Sequence, residues 1–304
     1  MQVRALWGLF AVFGLADFVT YSRLEPEELY NVSQHGWTLG AGRLLVFLNY
    51  PVALAAIAIA WIAAERIRAQ WARWTAGAAT VLCAVTAWPD VVDQSDLDAK
   101  AVNALPALGV AIAVALSLRA PWERVGRLPL DPVRIAVGVA VWLFASVWVA
   151  AGVGFYFPGD LFLGEELRRG GDGLLHPAVH LGEHEGLDAA LLVTSALVLT
   201  RCRPRFAVLI LLGLAFVYGL AVEWRDFWFE QVVKRGWTSW SPPAVLTPRL
   251  SAAWLVLLIL AVLVAMVVRR LEGPPRRPGD PRRTAPSPLP DLPSAGSTRG
   301  AQSP

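Results

Sequence analysis

The 304-residue sequence predicts an all-α, polytopic transmembrane helical bundle. Three observations carry that prediction. The chain is 56% hydrophobic and 17% charged, whereas a soluble domain runs near about 45–50% and 25%. Its mean hydropathy is +0.49. The apolar residues fall in blocks long enough to cross, or nearly cross, ~30 Å of hydrocarbon. Fourteen tryptophans suit a protein with two membrane–water interfaces to line. A water-soluble enzyme, a disordered chain, a coiled coil and a secreted disulfide scaffold all fit this pattern poorly.

About eight apolar segments follow in order, over residues 5–21, 44–64, 74–88, 101–118, 135–157, 187–200, 206–222 and 250–268. They read as helices because lipid leaves no partner for the backbone of an open strand. The first could be a signal peptide, since Arg4 precedes it, but no small-x-small cleavage site follows and Asp17 interrupts it. It is therefore read as an anchor. In the second, Asn49-Tyr50-Pro51 suggests a kink with freed carbonyls. The third and sixth, at 15 and 14 residues, are short. A stretch of 14 residues reaches only about 21 Å.

Residues 1–270 thus form the membrane domain, and residues 271–304 a disordered, Pro/Arg-rich tail with nine of the 22 prolines. Gly36-Trp37-Thr38 and Gly236-Trp237-Thr238 recur, but three residues do not establish a repeat. With eight spans, 18 of the 27 Lys and Arg residues lie on the side of the termini and nine on the other. The positive-inside rule then makes both termini cytoplasmic. Ala, Arg and Val dominance with only two lysines points to a bacterial gene, and so to the cell (cytoplasmic) membrane. The arginines are spread over short loops, which suits anionic headgroups and not nucleic acid.

Cys83 and Cys202 fall at different depths, and no C-x-x-C motif occurs, so neither a disulfide nor a redox relay is expected. All four histidines fall outside on this topology. Three of them, His176, His180 and His184, share a stretch with Glu183, Glu185 and Asp188. On a helix, His176, His180, His184, Asp188 and Glu183 face one way within about 140°. Pro177 suits a first helical position. Extending the short sixth segment outward to residue 181 would set these ionisable groups at the membrane boundary, where such groups face protein or a watery cavity. Gly182 and Gly186 favour a bent, re-entrant path instead.

Imidazole and carboxylate together suit a divalent transition metal: Zn, Mn, Fe or Cu. After the seventh segment, Glu223, Asp226 and Glu230 fall within about 60° on a helix, flanked by Trp224, Phe227 and Trp228. That stretch is either an amphipathic helix lying in the interface or a source of carboxylates for the histidines. The expected metal ligands are His176, His180, His184 and Glu223, with Glu183, Asp188 and Asp226 as catalytic carboxylates. No His-Glu-x-x-His motif is present. Asp90, Asp93, Asp96 and Asp98 lack the glycine and terminal glutamate of a calcium loop and read as a solvated loop. Asp17 is expected to pair with Arg23, Arg43 or a histidine.

Three functions fit. The first is a metal-dependent enzyme acting on a lipid or lipid-linked substrate at headgroup depth. The second is a transporter or ion-handling protein using Asp17, Asn49 and the outer carboxylates. The third is an assembly or scaffold subunit binding partners through its bundle and tail. Haem b between His35 and a clustered histidine is a redox variant.

Overall fold

A computed structural model describes residues 2–23, 33–88, 98, 100–123, 125–152, 167–169, 175–177, 185–245 and 250–273. The described chain is helical, apart from a short antiparallel ribbon that pairs Leu167–Arg169 with Leu175–Pro177. The helices are α1 (Gln2–Tyr21), α2 (Trp37–Phe47), α3 (Ala53–Ile67), α4 (Gln70–Ala84), α5 (Ala104–Arg119), α6 (Asp131–Gly152), α7 (Glu185–Thr200), α8 (Phe206–Trp228) and α9 (Ala252–Glu272).

Among the described residues, five helical stretches are long and apolar enough to cross a membrane: Gln2–Tyr21, Trp37–Ile67, Ala101–Arg119, Phe206–Val233 and Ala252–Glu272. They coincide with the first, second, fourth, seventh and eighth predicted segments. The third falls on α4, which has 15 residues, and the sixth on α7, which has 16. Both are short, as predicted. The fifth lies on α6, and its residues 153–157 are outside the described part.

At the centre is α3, packed on α4, α5, α7 and α8. Alanines 53, 56, 60 and 63 are fully buried there. Small side chains let neighbouring helices approach closely, which replaces the hydrophobic drive that lipid removes. By contrast α1 and α9 bury little and turn Leu, Val and Ile outward.

The Asn49-Tyr50-Pro51 interruption takes the form of a π-helical turn, Leu48–Val52, that joins α2 to α3 without a break. The Asn49 carbonyl accepts from Thr86 Oγ1 at 2.5 Å. With its side-chain amide turned so that the nitrogen faces them, the orientation its surroundings satisfy, Asn49 donates to the carbonyls of Asn103 (2.9 Å) and Leu45 (3.0 Å). The interruption therefore links three segments through hydrogen bonds. A second π turn, Phe229–Val233, continues α8. Cys83 and Cys202 are both free.

Charge divides the bundle into two ends. One end gathers Asp131, Arg134, Thr200, Arg201, Arg205 and Glu272; the other gathers Asp17, Arg43, Asp188, Glu223, Asp226 and Glu230.

Candidate functional site

The site at the carboxylate-rich end is built on an antiparallel hairpin, α7 and α8, joined by residues 201–205. Where they touch, α8 has Gly219. A Cβ there would stand 2.9 Å from the carbonyl oxygen of Ala189 and 2.9 Å from Val193 Cγ2, so only glycine permits this approach. Four residues further along α8 is Glu223, and four residues back along α7 is Glu185. Both steps cover about 6 Å, which sets Glu223 level with the first turn of α7.

Glu223 is 4% exposed, Asp226 6% and Glu230 6%. Of the apolar flank, Trp224 points outward, 51% exposed, while Phe227 and Trp228 are half-buried against Phe144 and Trp240. This corrects the reading of 223–233 as an amphipathic helix lying in the interface. The stretch continues α8, with carboxylates inward and Trp224 outward. Composition alone cannot separate these cases, because both put acids and aromatics on adjacent faces.

The three acids differ in how they are held. Glu230 pairs with Lys234 at 2.8 Å. Asp226 takes part in further interactions. Glu223 Oε1 is buried with no hydrogen-bond partner, and among the described residues no ion pair reaches its carboxylate. An unpaired buried carboxylate costs several kcal/mol on general grounds, on the order of the desolvation penalty of a charged group. It is the polar group at this end that calls most strongly for a ligand.

The same end holds a charge triad. Arg43, on α2, is 1% exposed, and its Nη2 stands 3.2 Å from Asp17 Oδ2 on α1 and 3.7 Å from Asp188 Oδ1 on α7. The Tyr21 ring centroid lies 5.6 Å from the guanidinium carbon. Arg43 is thus the partner of Asp17 among the three candidates the sequence offered. Although it lies just before the second predicted segment, Arg43 is a buried residue.

The sequence-predicted residues distribute as follows. Glu223 and Asp226 come together on one buried face of α8, and Asp188 is in the first turn of α7 facing Arg43. His176 lies on the ribbon, in register with Arg168. The helix expected through His176 to Asp188 is therefore corrected at its start: Pro177 ends a strand, which tolerates a residue lacking an N–H at a ribbon edge. Described helix begins at Glu185. His180, Glu183 and His184 lie outside the described residues. Among the described residues, no group of three or more His, Cys, Asp or Glu is placed to hold a metal ion. His35 is exposed, and its carbonyl accepts from Thr38 Oγ1 at 2.7 Å.

At the opposite end, charges close on one another. Arg134 donates through Nη2 to Glu272 Oε2 at 2.8 Å, through Nη1 to Asp131 at 3.2 Å and through Nε to Thr200 Oγ1 at 3.2 Å. Arg201 reaches the same Asp131 at 3.0 Å. This lock ties α6, α7 and α9, and the sequence reading did not anticipate it. Its local signals are the i,i+3 spacing of Asp131 and Arg134 and the lone acid Glu272, which the sequence reading placed in the tail but which is buried in the last turn of α9.

Compared with protein-family models, curated proteins and solved structures, the chain matches none of them.

Proposed function

We propose that the chain is an integral membrane protein of about eight spans with both termini cytoplasmic, in a bacterial cell membrane. In this reading its carboxylate-rich end faces outward and holds a divalent transition metal. It serves as a metal-dependent enzyme for a lipid or lipid-linked substrate. The observation that carries the proposal is Glu223: a buried carboxylate that no partner reaches among the described residues, level with the turn that directly follows His184 in sequence.

His176, His180, His184 and Glu223 are the proposed ligands. Three imidazoles and one carboxylate form a donor set that Zn, Mn, Fe and Cu(II) accept. Such an ion lowers the pKa of bound water towards ~7 and polarises a phosphoryl or carbonyl oxygen. Glu183 or Asp226 serves as general base. Asp188, engaged by Arg43, is removed from that role. The tryptophans around the site support headgroup depth: Trp37, Trp88, Trp224, Trp237 and Trp240 are all exposed at this end. Between the two ends, α7 and α8 bury Ala189, Leu191, Leu192, Val193 and Leu212. Such a dry middle favours a site open to one face over a transport path.

Elemental analysis of detergent-purified protein tests the reading, wild type beside a His176/His180/His184 triple-alanine variant. The expectation is near-stoichiometric metal in the wild type and none in the variant. Protein that stays metal-free after exposure to Zn, Mn, Fe and Cu overturns it.

A further inference from the structure

We infer that the surface formed by the α3–α4 and α7–α8 turns binds anionic phospholipid headgroups, with Arg66, Arg68 and Arg203 supplying its charge. The inference concerns the arginine-rich end, outside the lock, and does not depend on the metal reading.

Among the described residues, only Arg68 (φ 63°) and Arg203 (φ 50°) combine a side chain with a left-handed backbone. Each lies in a turn between consecutive helices: residues 68–69 join α3 to α4, and residues 201–205 join α7 to α8. Glycine takes this conformation freely and commonly ends helices in it, whereas an L side chain crowds its own carbonyl. A cation favours a helix C-terminus, but Arg66, in the last turn of α3, already meets that need without strain. Arg68 is exposed, and among the described residues no hydrogen bond or ion pair holds its side chain. What offsets the strain therefore lies outside the protein, and strained backbone of this kind is typical of binding sites.

The two turns form one surface. The Arg205 backbone N–H donates to Glu65 Oε2 at 3.3 Å, and its Nε stands 3.8 Å from Glu65 Oε1. The charge of Arg66 acts on the Cys202 thiol in the other turn. Residues 65–73 and 201–205 carry six arginines and one acid, Glu65, which Arg205 engages. Arg66 is held in place: its guanidinium carbon lies 4.9 Å from the Trp122 ring centroid, and its Nη1 donates to the Pro121 carbonyl at 3.5 Å. Trp122 in turn donates through Nε1 to the Ser117 carbonyl at 2.6 Å. A guanidinium stacked on an aromatic face keeps its N–H fork in the plane, which suits a phosphate. Trp71 and Trp74 on α4 and Phe206 at the start of α8 are exposed beside these charges. Aromatic rings turned outward next to arginines mark headgroup depth, which favours a lipid over a soluble polyanion. Each basic residue at an anionic lipid surface adds about fivefold in affinity.

The test titrates full-length protein in a neutral detergent with phosphatidylglycerol or with phosphatidylcholine of the same acyl chains. Bound lipid is counted by native mass spectrometry, and thermal unfolding is followed in parallel. Wild type is expected to bind phosphatidylglycerol more tightly than phosphatidylcholine. R68G removes the charge and leaves the left-handed turn unstrained. It is expected to bind phosphatidylglycerol about fivefold more weakly yet unfold at or above the wild-type temperature. R68G/R203G is expected to lose about 25-fold. R127Q removes an exposed arginine of the same end outside the two turns, and is expected to bind as wild type does. Equal binding of the two lipids by wild type overturns the inference. So does wild-type affinity in R68G, which decides the matter if the double variant does not fold. A loss in R127Q equal to that in R68G assigns binding to diffuse surface charge and also overturns it. Displacement of the lipid by inorganic phosphate at equal concentration makes the ligand a soluble anion, with the same consequence.

Discussion

Both ends of the bundle bury charges, Asp131, Arg134 and Glu272 at one and Arg43, Asp188, Glu223, Asp226 and Glu230 at the other, and treat them differently. At the arginine-rich end, Arg134 finds an acceptor for each side of its guanidinium, and Asp131 is shared with Arg201. That end is closed chemically, as expected of a lock among α6, α7 and α9. At the carboxylate-rich end, Arg43 Nη2 faces both Asp17 and Asp188, and among the described residues no partner reaches the buried Oε1 of Glu223. Burial alone therefore does not mark a site. An incomplete set of partners does.

Breaking the lock gives the largest effect expected on stability. Arg134→Ala leaves Glu272, 5% exposed, as an uncompensated buried carboxylate. A loss of about 3–5 kcal/mol follows, readable by unfolding in detergent. Zinc affinity should stay at the wild-type value; a loss of metal would show that the ends are coupled.

The mirror experiment sharpens the contrast. Glu223→Gln removes a ligand and also removes an unpaired buried charge. Zinc binding should weaken about a hundredfold, by analogy with altered metal-site residues, while the unfolding temperature holds or rises, since an amide is easier to bury than a lone carboxylate. A lower unfolding temperature with intact zinc binding would put Glu223 on the structural side of the comparison.

A smaller change separates parts of the lock. Thr200→Val deletes the hydroxyl that accepts from Arg134 Nε. Hydrogen bonds to charged groups are worth about 1.5–3 kcal/mol, and double-mutant cycles with Arg134→Ala should return most of that as coupling.

The smallest effect concerns a loop at the carboxylate-rich end. Asp98 accepts from Ser33 N at 3.0 Å and from Gln34 N at 3.0 Å, tying the chain before α2 to the chain before α5. Burial raises its pKa, but the hydrogen bonds from Ser33 and Gln34 and the charge of Lys100 outweigh that and hold it below the usual carboxylate value. A lowered folded value means the tie is complete above ~3.9 and weakens as pH falls from there through the lowered pKa. Hydrogen exchange at Ser33 and Gln34 should lose protection in that window. Protection independent of pH would contradict it.

How much of this was legible in sequence follows from the kind of signal. Apolar blocks give the helices, and the 15 and 14 residues of the third and sixth segments correctly marked short ones. The Glu223, Asp226 and Glu230 face was legible from helical spacing. Its direction was not, because that depends on Gly219 admitting α7. Asp17 announced a partner by being an acid inside a span, and Arg43 was among the cations in reach. Arg134 and Glu272 are 138 residues apart, and no local pattern joins them. Pro177 suits a helix start and a ribbon edge equally, so the sequence around His176 did not distinguish them.

X-ray absorption at the zinc K-edge of the zinc-loaded protein, wild type beside E223Q, is the most direct test that the open end is a metal site. The prediction is a shell of nitrogen and oxygen ligands near ~2.0–2.1 Å with the multiple scattering of imidazole, and loss of an oxygen ligand in E223Q. Zinc coordinated only by water, or a spectrum identical in the two proteins, would contradict it.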